Sequence, residues 1–204
     1  MKILLVSDEP SPSYYDYYSP GKLDDIDLIL SAGDLKAEYL EFLVTMAHCP
    51  LLYVPGNHDT KYLEHPPEGC ECIDGSVYTY KGIRILGLGG SMRYQYGADY
   101  QYTDQEMRWR IRMLALQLRR AGGVDILLTH APAAGLNDGE DFCHRGFDAF
   151  LGLLDRFTPK YFIHGHMHLN YDHRLPRKCM YGDTTIINAY GHYLLDYPDE
   201  LIVE

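Results

Sequence analysis

The sequence lacks any apolar run long enough to cross a membrane. A helix that spans a bilayer needs about 18 or more apolar residues in succession, and no such stretch occurs among these 204 residues. The apolar run at residues 3–6 is also too short for a signal peptide, because Asp8 and Glu9 follow it at once. We therefore predict no membrane span and a buried strand at residues 3–6.

Basic residues are scarce as well. The chain has 18 lysines and arginines against 29 aspartates and glutamates, which gives a formal net charge of −11. No stripe of basic residues offsets this charge, so we predict that the protein does not bind nucleic acid. An anionic substrate would have to be attracted by local cations, and bound metal ions would supply them.

The cysteines lack a disulfide or zinc pattern. They are five in number, and only Cys70 and Cys72 lie close together, in a C-x-C spacing that suits neither a zinc knuckle nor a thioredoxin-type site. Free thiols in a reducing cytosol are the simplest interpretation. We accordingly predict a cytoplasmic protein.

Linkers, repeats and low-complexity segments are also absent, so we predict a single domain over residues 1–204. Short apolar runs that end at turn residues predict buried strands. These runs are residues 3–6, 27–30, 51–54, 77–80, 83–88, 125–129, 161–163, 184–187 and 193–196. Alternation with helices favours parallel strands, and a predicted hairpin turn at Lys81 and Gly82 adds antiparallel ones. We expect an α/β fold of mixed sheets with helices outside.

Three segments between these runs have the periodicity of helices. They are residues 35–47, residues 104–120 and a third helix that contains Phe147 and Leu154. Thr103 and Glu106 predict a capping box before the second helix, and the two glycines at 122–123 predict its end. Two segments rich in tyrosine, residues 11–21 and 94–102, are predicted to be loops.

Side chains that bind metals follow five of the apolar runs. They are Asp8, Asp34 in Gly33-Asp34, Asn57 in Gly56-Asn57-His58-Asp59, His130, and the histidines of Gly165-His166-Met167-His168. Open α/β sheets place ligand sites at the carboxyl ends of their strands. The glycines at 33 and 56 permit sharp turns and close backbone approach beside a candidate ligand. This mixture of carboxylate, amide and imidazole suits two closely spaced divalent ions, and Mn²⁺, Fe or Zn²⁺ better than Ca²⁺.

Each of these residues has a simpler interpretation when it is taken alone. Asp8 and Asn57 would pass as turn residues, Asp34 as the N-cap of the helix at 35–47, and His130 as a structural histidine. The segment 164–168 argues against this, because three imidazoles in five residues are hard to explain by core packing. In an extended segment, the side chains at 166 and 168 would project to the same side.

The order of these motifs resembles the calcineurin-like metallophosphoesterase family. The family pattern is D-x-H, G-D, G-N-H-D/E, H and G-H-x-H, and the resemblance runs from Met1 to about Asn188. It implies a four-layer αββα sandwich, with two mixed β-sheets flanked by helices. It also implies that Asp34 bridges two metal ions, that Asp8 and His168 hold the first ion, and that Asn57, His130 and His166 hold the second.

The resemblance implies a metal-dependent phosphoesterase that hydrolyses a small phosphate ester, with a slight preference for a phosphodiester. A metal-bound hydroxide would attack phosphorus between ions about 3.5–4 Å apart. His58, oriented by Asp59, would act as the general acid, a role typically worth ~10²–10⁴-fold in rate. His144 and Arg145, before the third helix, are candidates for substrate binding.

One position departs from the family pattern, because Pro10 stands where the D-x-H motif has histidine. Three alternatives follow. The first ion binds more weakly, with water in the gap; Glu9 or a tyrosine of residues 14–18 replaces the histidine; or the first ion is lost, which leaves a mononuclear or inactive protein. Glu9 reaches the site only if the chain turns after Asp8. A catalytically impaired member of the family that acts as a protein-binding module is the rival hypothesis.

Overall fold

Strands and helices alternate along the chain. The structure is a computed structural model and describes residues 1–170 and 176–198. The strands are β1 (Lys2–Ser7), β2 (Leu28–Ser31), β3 (Leu51–Tyr53), β4 (Glu71–Cys72), β5 (Ser76–Tyr80), β6 (Ile83–Leu88), β7 (Ser91–Met92), β8 (Gln101–Tyr102), β9 (Ile126–Thr129), β10 (Tyr161–His164), β11 (Lys178–Tyr181), β12 (Thr184–Asn188) and β13 (Gly191–Asp196). The helices are α1 (Ala37–Ala47), α2 (Asp104–Met113), α3 (Ala115–Ala121) and α4 (Asp148–Phe157), with a 3₁₀ helix at Thr60–Leu63.

Two mixed sheets contain most of these strands. The first has the order β13-β1-β2-β3-β4 and the second the order β11-β12-β10-β9-β6-β5. Strands β1 to β4 are parallel, and β13 runs antiparallel to β1. In the second sheet β6, β9, β10 and β12 are parallel, while β5 and β11 form antiparallel edges. The prediction of mixed sheets is confirmed.

Alternate residues of each strand face two different cores. In β1, Leu5 packs between the two sheets, whereas Leu4 faces α1 on the outside of the first sheet. In β9, Leu128 faces the first sheet, whereas Leu127 packs under α2, α3 and α4. Strand side chains alternate in this way because successive Cβ atoms point to opposite faces. The layers are therefore helix, sheet, sheet and helix, which confirms the predicted αββα sandwich.

The structure corrects several predicted elements. The helix expected at 104–120 is interrupted at Leu114, and the second piece, α3, turns toward the edge strand β5, where Gln117 accepts a hydrogen bond from the amide of Val77 at 3.1 Å. Strands β4, β7 and β8 were missed because two residues carry no periodicity. Strand β11 was missed because its exposed edge lacks an apolar run. The predicted capping box of Thr103 and Glu106 is present.

The helices agree with the sequence on membrane spans. Within residues 1–170 and 176–198, no helix has both the length and the apolar character that crossing a bilayer requires.

Candidate metal centre

The carboxyl ends of strands from both sheets meet at the candidate site. Asp34 follows β2, His130 follows β9, and His166 follows β10. One ligand atom from each of these three residues lies within 4.8 Å of those of the other two. The first sheet contributes the carboxylate and the second contributes the imidazoles. The structure thus brings together three of the residues that the sequence nominates as metal ligands.

The ring of His130 is held with one nitrogen directed at this cluster. The side chain is fully buried, and Nδ1 lies 2.7 Å from the carbonyl oxygen of Ala32. A carbonyl only accepts hydrogen bonds, so Nδ1 carries a hydrogen and Nε2 is the nitrogen directed at the cluster. Nε2 lies 3.1 Å from Oδ1 of Asn57 and 3.4 Å from Oδ2 of Asp34. Orientation of a metal-binding histidine by a backbone carbonyl is typical of metal sites.

His166 is oriented by the same device. Its Nε2 donates to the carbonyl oxygen of Cys143 at 2.8 Å, which leaves Nδ1 as the nitrogen with a lone pair. Burial, followed by the neighbouring charge of His130, lowers the pKa of His166 to about 4. The ring is therefore neutral near pH 7, which is the form that binds a metal ion.

Asp34 supplies negative charge at the centre of the cluster. Its Oδ1 accepts a hydrogen bond from the amide of His58 at 2.8 Å. Burial alone would raise the pKa of Asp34, but the adjacent His130 holds it well below its usual range. Asp34 is not the N-cap of α1, because that position is Lys36 and no side chain caps the helix there. The alternative role as a helix cap is wrong.

Asn57 is oriented by a residue that sequence reasoning missed. Its side chain is buried, and Nδ2 donates to the hydroxyl of Tyr94 at 3.1 Å, so Oδ1 faces His130. Tyr94 belongs to the segment that was predicted only as a loop. Nothing in the sequence separates it from the other tyrosines of that segment, because its role depends on contact with a residue 37 positions away.

Asp8 and His168 lie together beside the cluster. The Asp8 side chain is 1 % exposed, and both of its oxygens accept from the amide of His166 at 3.0 Å. Nε2 of His168 lies 3.6 Å from Oδ1 of Asp8. The hydrogen bond to Asp8 raises the pKa of His168 and outweighs the effect of burial. This pair is the carboxylate and imidazole that the sequence assigns to a first metal ion.

The predicted pairing of Asp59 with the ring of His58 is not formed. Asp59 is buried, and its Oδ2 accepts from the amides of Asp34 and Gly56, both at 2.7 Å, whereas the His58 side chain is exposed. Burial and then the Asp34 carboxylate raise the pKa of Asp59 to about 7. Asp59 thus joins two loops through backbone amides and does not orient His58. The sequence could not show this, because adjacent side chains can point in opposite directions.

The backbone at the candidate ligands adopts an unusual conformation. Asp8, Asp34 and His166 all have positive φ, at 66°, 57° and 66°. The segment around His166 is therefore not extended. The prediction that the side chains at 166 and 168 project to the same side required an extended segment and does not hold. Such conformations cost about 1–3 kcal/mol each and concentrate at functional sites.

Two glycines permit close approach to these ligands: Gly56, for which the sequence predicted it, and Gly165, for which it did not. A Cβ atom on Gly56 would overlap Oδ1 of Asp34 and lie 2.7 Å from its amide nitrogen. A Cβ atom on Gly165 would overlap the hydroxyl of Ser7 and lie 2.7 Å from Oδ2 of Asp8. Any larger residue at either position would displace a candidate ligand.

The surroundings of Pro10 bear on the alternatives for the first ion. The positive φ of Asp8 supplies the turn that substitution by Glu9 requires. Oε2 of Glu9, however, accepts a hydrogen bond from the hydroxyl of Tyr190 at 2.6 Å, and the Tyr190 ring packs on His168 with centroids 4.9 Å apart. Glu9 is thus held beside the pair of Asp8 and His168 through this tyrosine.

The tyrosines of residues 14–18 pack away from the candidate ligands. The Tyr15 ring packs edge-on against Tyr39 and Phe42 of α1, and Tyr18 contacts Phe42 in the same way. Tyr17 is 79 % exposed. Packing against the outer helix explains this loop without a role in metal binding.

His144 borders the cluster, while the helix behind it offers little to an anion. The His144 ring lies 5.2 Å from the His166 ring, and its Nδ1 lies 2.8 Å from Oδ2 of Asp141. The amide of Ala149, in the first turn of α4, already donates to Oδ1 of Asp104 at 2.8 Å. This amide is therefore not available to a substrate anion. Arg145 is exposed.

The donor set fits a divalent cation. A largely buried carboxylate, two oriented imidazole nitrogens and an amide oxygen converge on one point. Burial alone would lower the pKa of His130, but Asp34 raises it. The carboxylate of Asp34 therefore stabilises positive charge at this point. Nitrogen and oxygen ligands of this kind suit Mn²⁺, Fe or Zn²⁺.

Comparison with known proteins identifies the family of the chain. The family model described as calcineurin-like phosphoesterase matches residues 1–170. An uncharacterized protein of Haemophilus influenzae is 27 % identical over 240 aligned positions, which cover 97 % of this chain and 99 % of that protein. The uncharacterized protein MJ1162 of Methanocaldococcus jannaschii is 24 % identical and covers 88 % of this chain and 85 % of its own length.

A solved structure shows the same fold. The crystal structure of TT1561 of Thermus thermophilus matches with a TM-score of 0.61 and 16 % identity, over 93 % of this chain and 88 % of that one. The family model covers most of the chain and contains every candidate ligand named above. The protein therefore belongs to the calcineurin-like phosphoesterase family.

Proposed function

We propose that the protein is a metal-dependent phosphoric ester hydrolase that acts on a small phosphate ester, with a slight preference for a phosphodiester. The convergence of Asp34, His130 and His166 within 4.8 Å carries this proposal, in a chain whose family is that of phosphoesterases. These residues come from both sheets and are far apart in sequence. Buried charged groups in proteins are paired or coordinate metal ions, and this cluster offers the oxygen and nitrogen ligands of a metal site.

The residues would hold two divalent ions. Asp34 would lie between them; Asn57, His130 and His166 would complete one position, and Asp8 with His168 the other. When bound, the ions would activate water and balance the charge on the phosphoryl oxygens. The position of the first ion, with Asp8 and His168, has fewer protein ligands because Pro10 supplies none, so we expect it to bind its ion more weakly.

The remaining roles belong to side chains at the edge of the site. The exposed His58 would donate a proton to the leaving group, since its backbone is fixed by the bond from its amide to Asp34. Asp59 would hold the loop that carries His58 rather than its ring. His144, which borders His166, and the exposed Arg145 would contact the substrate.

Hydrolysis of bis-p-nitrophenyl phosphate with Mn²⁺, Fe²⁺ or Zn²⁺ tests this function. We expect turnover by the wild type, almost none by His130→Ala, and about 10²–10⁴-fold slower turnover by His58→Ala. Metal analysis of the same samples distinguishes one bound ion from two. Equal rates for the wild type and both variants, with every metal, would contradict the proposal.

Protein binding by an inactive family member is the second candidate function. Trp109 and Met113 of α2 and Leu116 of α3 are 60 %, 64 % and 57 % exposed. Exposed apolar groups of this size often mark contact surfaces. Absence of turnover would favour this function.

The proposed setting is cytoplasmic. All five cysteines are free thiols, which a reducing compartment maintains. The single domain over residues 1–204 and the absence of nucleic-acid binding remain predictions from the sequence.

A further inference from the structure

A cavity of about 660 Å³ opens beside the candidate metal centre. Its lining includes Asp34 and His58 of the candidate site together with Lys36 and Lys61. Lys36 immediately precedes α1, and Lys61 lies in the 3₁₀ helix, so two separate segments of the chain form its walls. The volume falls within the range of roughly 300–1,000 Å³ typical of sites for small ligands.

Neither lysine has an ion-pair partner among residues 1–170 and 176–198. In that part of the chain, the lysines that pair with carboxylates are Lys2 and Lys81. Lys36 and Lys61 are exposed and line the same space, although the chain carries a net charge of −11. Two ammonium groups that line one cavity form a local positive region, which attracts an anion that the net charge of the molecule repels.

The acidic residues of the cavity do not neutralise this region. Asp34 is engaged by the amide of His58 and by His130, and Asp59 by two backbone amides. Glu38 is exposed and lines the same cavity, and in the described structure it forms no salt bridge to either lysine. An anion beside the lysines would be attracted by both ammonium groups and repelled by the carboxylate of Glu38.

We propose that Lys36 and Lys61 bind a second anionic group, a phosphate or a carboxylate, on the leaving-group side of the substrate. This inference rests on the proposed hydrolase function, because His58, which lines the cavity, is the residue proposed to protonate the leaving group. The substrate class is thereby narrowed to phosphate esters whose leaving group carries another anion. Lys36 and Lys61 would set specificity and would not take part in bond cleavage.

Binding of phosphonates to the Mn²⁺-loaded protein tests the assignment, since these compounds are not hydrolysed. Calorimetry would compare butylphosphonate with α,ω-alkylbisphosphonates of two to four methylene groups and with the matching phosphonocarboxylates. The measured quantity is the ratio of the affinity for each probe with two anionic groups to the affinity for butylphosphonate. We expect at least one chain length to bind about tenfold tighter than butylphosphonate, and the two series distinguish phosphate from carboxylate.

Variants assign this gain to the cavity. An exposed ion pair contributes about 0.2–1 kcal/mol, so Lys36→Ala and Lys61→Ala should each lower the ratio roughly two- to fivefold, and the double variant should abolish the gain. Glu38→Gln should raise the ratio, because it removes a like charge. Lys160→Ala is the matched control, since Lys160 is exposed and lies before β10, at the opposite end of the strand from His166.

The outcomes separate this inference from the function on which it rests. The cavity assignment is overturned, and the hydrolase proposal stands, if butylphosphonate binds but no probe with a second anionic group binds more tightly. The same conclusion follows if the gain in affinity persists in the double variant. If no phosphonate binds and bis-p-nitrophenyl phosphate is not hydrolysed, both proposals fail.

Discussion

The candidate site is built from side chains whose orientation is set by neighbouring backbone groups. The carbonyls of Ala32 and Cys143 decide which nitrogen of His130 and of His166 remains available. The amide of His166 in turn holds the carboxylate of Asp8. A site whose side chains are ordered before the ligand binds avoids the entropic cost of ordering them on binding.

Tyr94 should act on metal affinity through Asn57. Tyr94→Phe keeps the ring but removes the hydroxyl that accepts from Nδ2 of Asn57. Loss of such a supporting hydrogen bond typically lowers metal affinity about 10–100-fold, and we expect this range for Mn²⁺ measured by calorimetry. Tyr96→Phe is the control, because Tyr96 is 97 % exposed. An unchanged affinity in Tyr94→Phe would show that the amide needs no support.

Gly56 should tolerate no side chain. A Cβ atom there would displace the Asp34 carboxylate, so Gly56→Ala should destabilise the protein by about 2 kcal/mol or more in urea unfolding at pH 7. The contrast is Gly152→Ala in α4, where a Cβ atom meets nothing within 4 Å. This helical substitution should stabilise by about 0.5–1 kcal/mol. Equal effects at the two positions would contradict the account.

At the scale of elements, polar side chains close the ends of strands and helices. The capping box of Thr103 and Glu106 begins α2. Arg110 of α2 donates to both oxygens of Asp74, at 2.6 and 2.7 Å, and lies 4.3 Å from the ring of Tyr102. Arg84 of β6 donates to both oxygens of Asp125, just before β9. These contacts secure the register of the second sheet and of the helices on it.

The pair of Arg84 and Asp125 should make stability depend on pH. Burial alone would raise the pKa of Asp125, but Arg84 lowers it. The folded value is therefore below the unfolded value of about 3.9, so the contribution is complete above about pH 4 and is lost as the pH falls through the folded value.

Asp125→Asn tests this dependence. It should cost about 1.5–3 kcal/mol at pH 7, the range for hydrogen bonds to charged groups. The difference from the wild type in urea unfolding should shrink below about pH 4. A difference that is constant with pH would show that the charge of Asp125 does not matter.

At the scale of the molecule, the site lies where the two sheets meet. Asp34 and Asn57 follow strands of the first sheet, and His130 and His166 follow strands of the second. A cation bound between them would link the sheets, and a ligand that binds only the folded state stabilises all of it. The metal should therefore raise the stability of the whole fold.

Thermal unfolding with and without Mn²⁺ tests this linkage. At about 100 times the dissociation constant, Mn²⁺ should add roughly 2.7 kcal/mol, or about 5–10 °C in Tm. Asp34→Asn should lose this shift, and it should lower the Tm measured in EDTA, because His130 and the His58 amide stabilise the ionised carboxylate in the folded state. Asp183→Asn, in the turn before β12, should keep the full shift. An equal shift in Asp34→Asn would exclude this carboxylate as a ligand.

Most elements of the fold followed from local patterns. Buried strands such as β1 and β9 were visible because apolar runs ended at turn residues, and the start of α2 was visible in its capping box. The break at Leu114 and the two-residue strands were not visible, since contacts with other strands determine them. Candidate ligands were visible only as a series, because each was unremarkable alone.

The sequence by itself determined most of the strands and helices and the order of the candidate ligands, because periodicity and turn residues are local properties of the chain. The arrangement of the strands in two packed sheets was implied only by the family resemblance. Only the tertiary structure decided that Asp59 binds backbone amides instead of His58, that Tyr94 orients Asn57, and that Lys36 and Lys61 share a cavity. These relations join residues from separate segments, and their geometry exists only after the sheets have packed together.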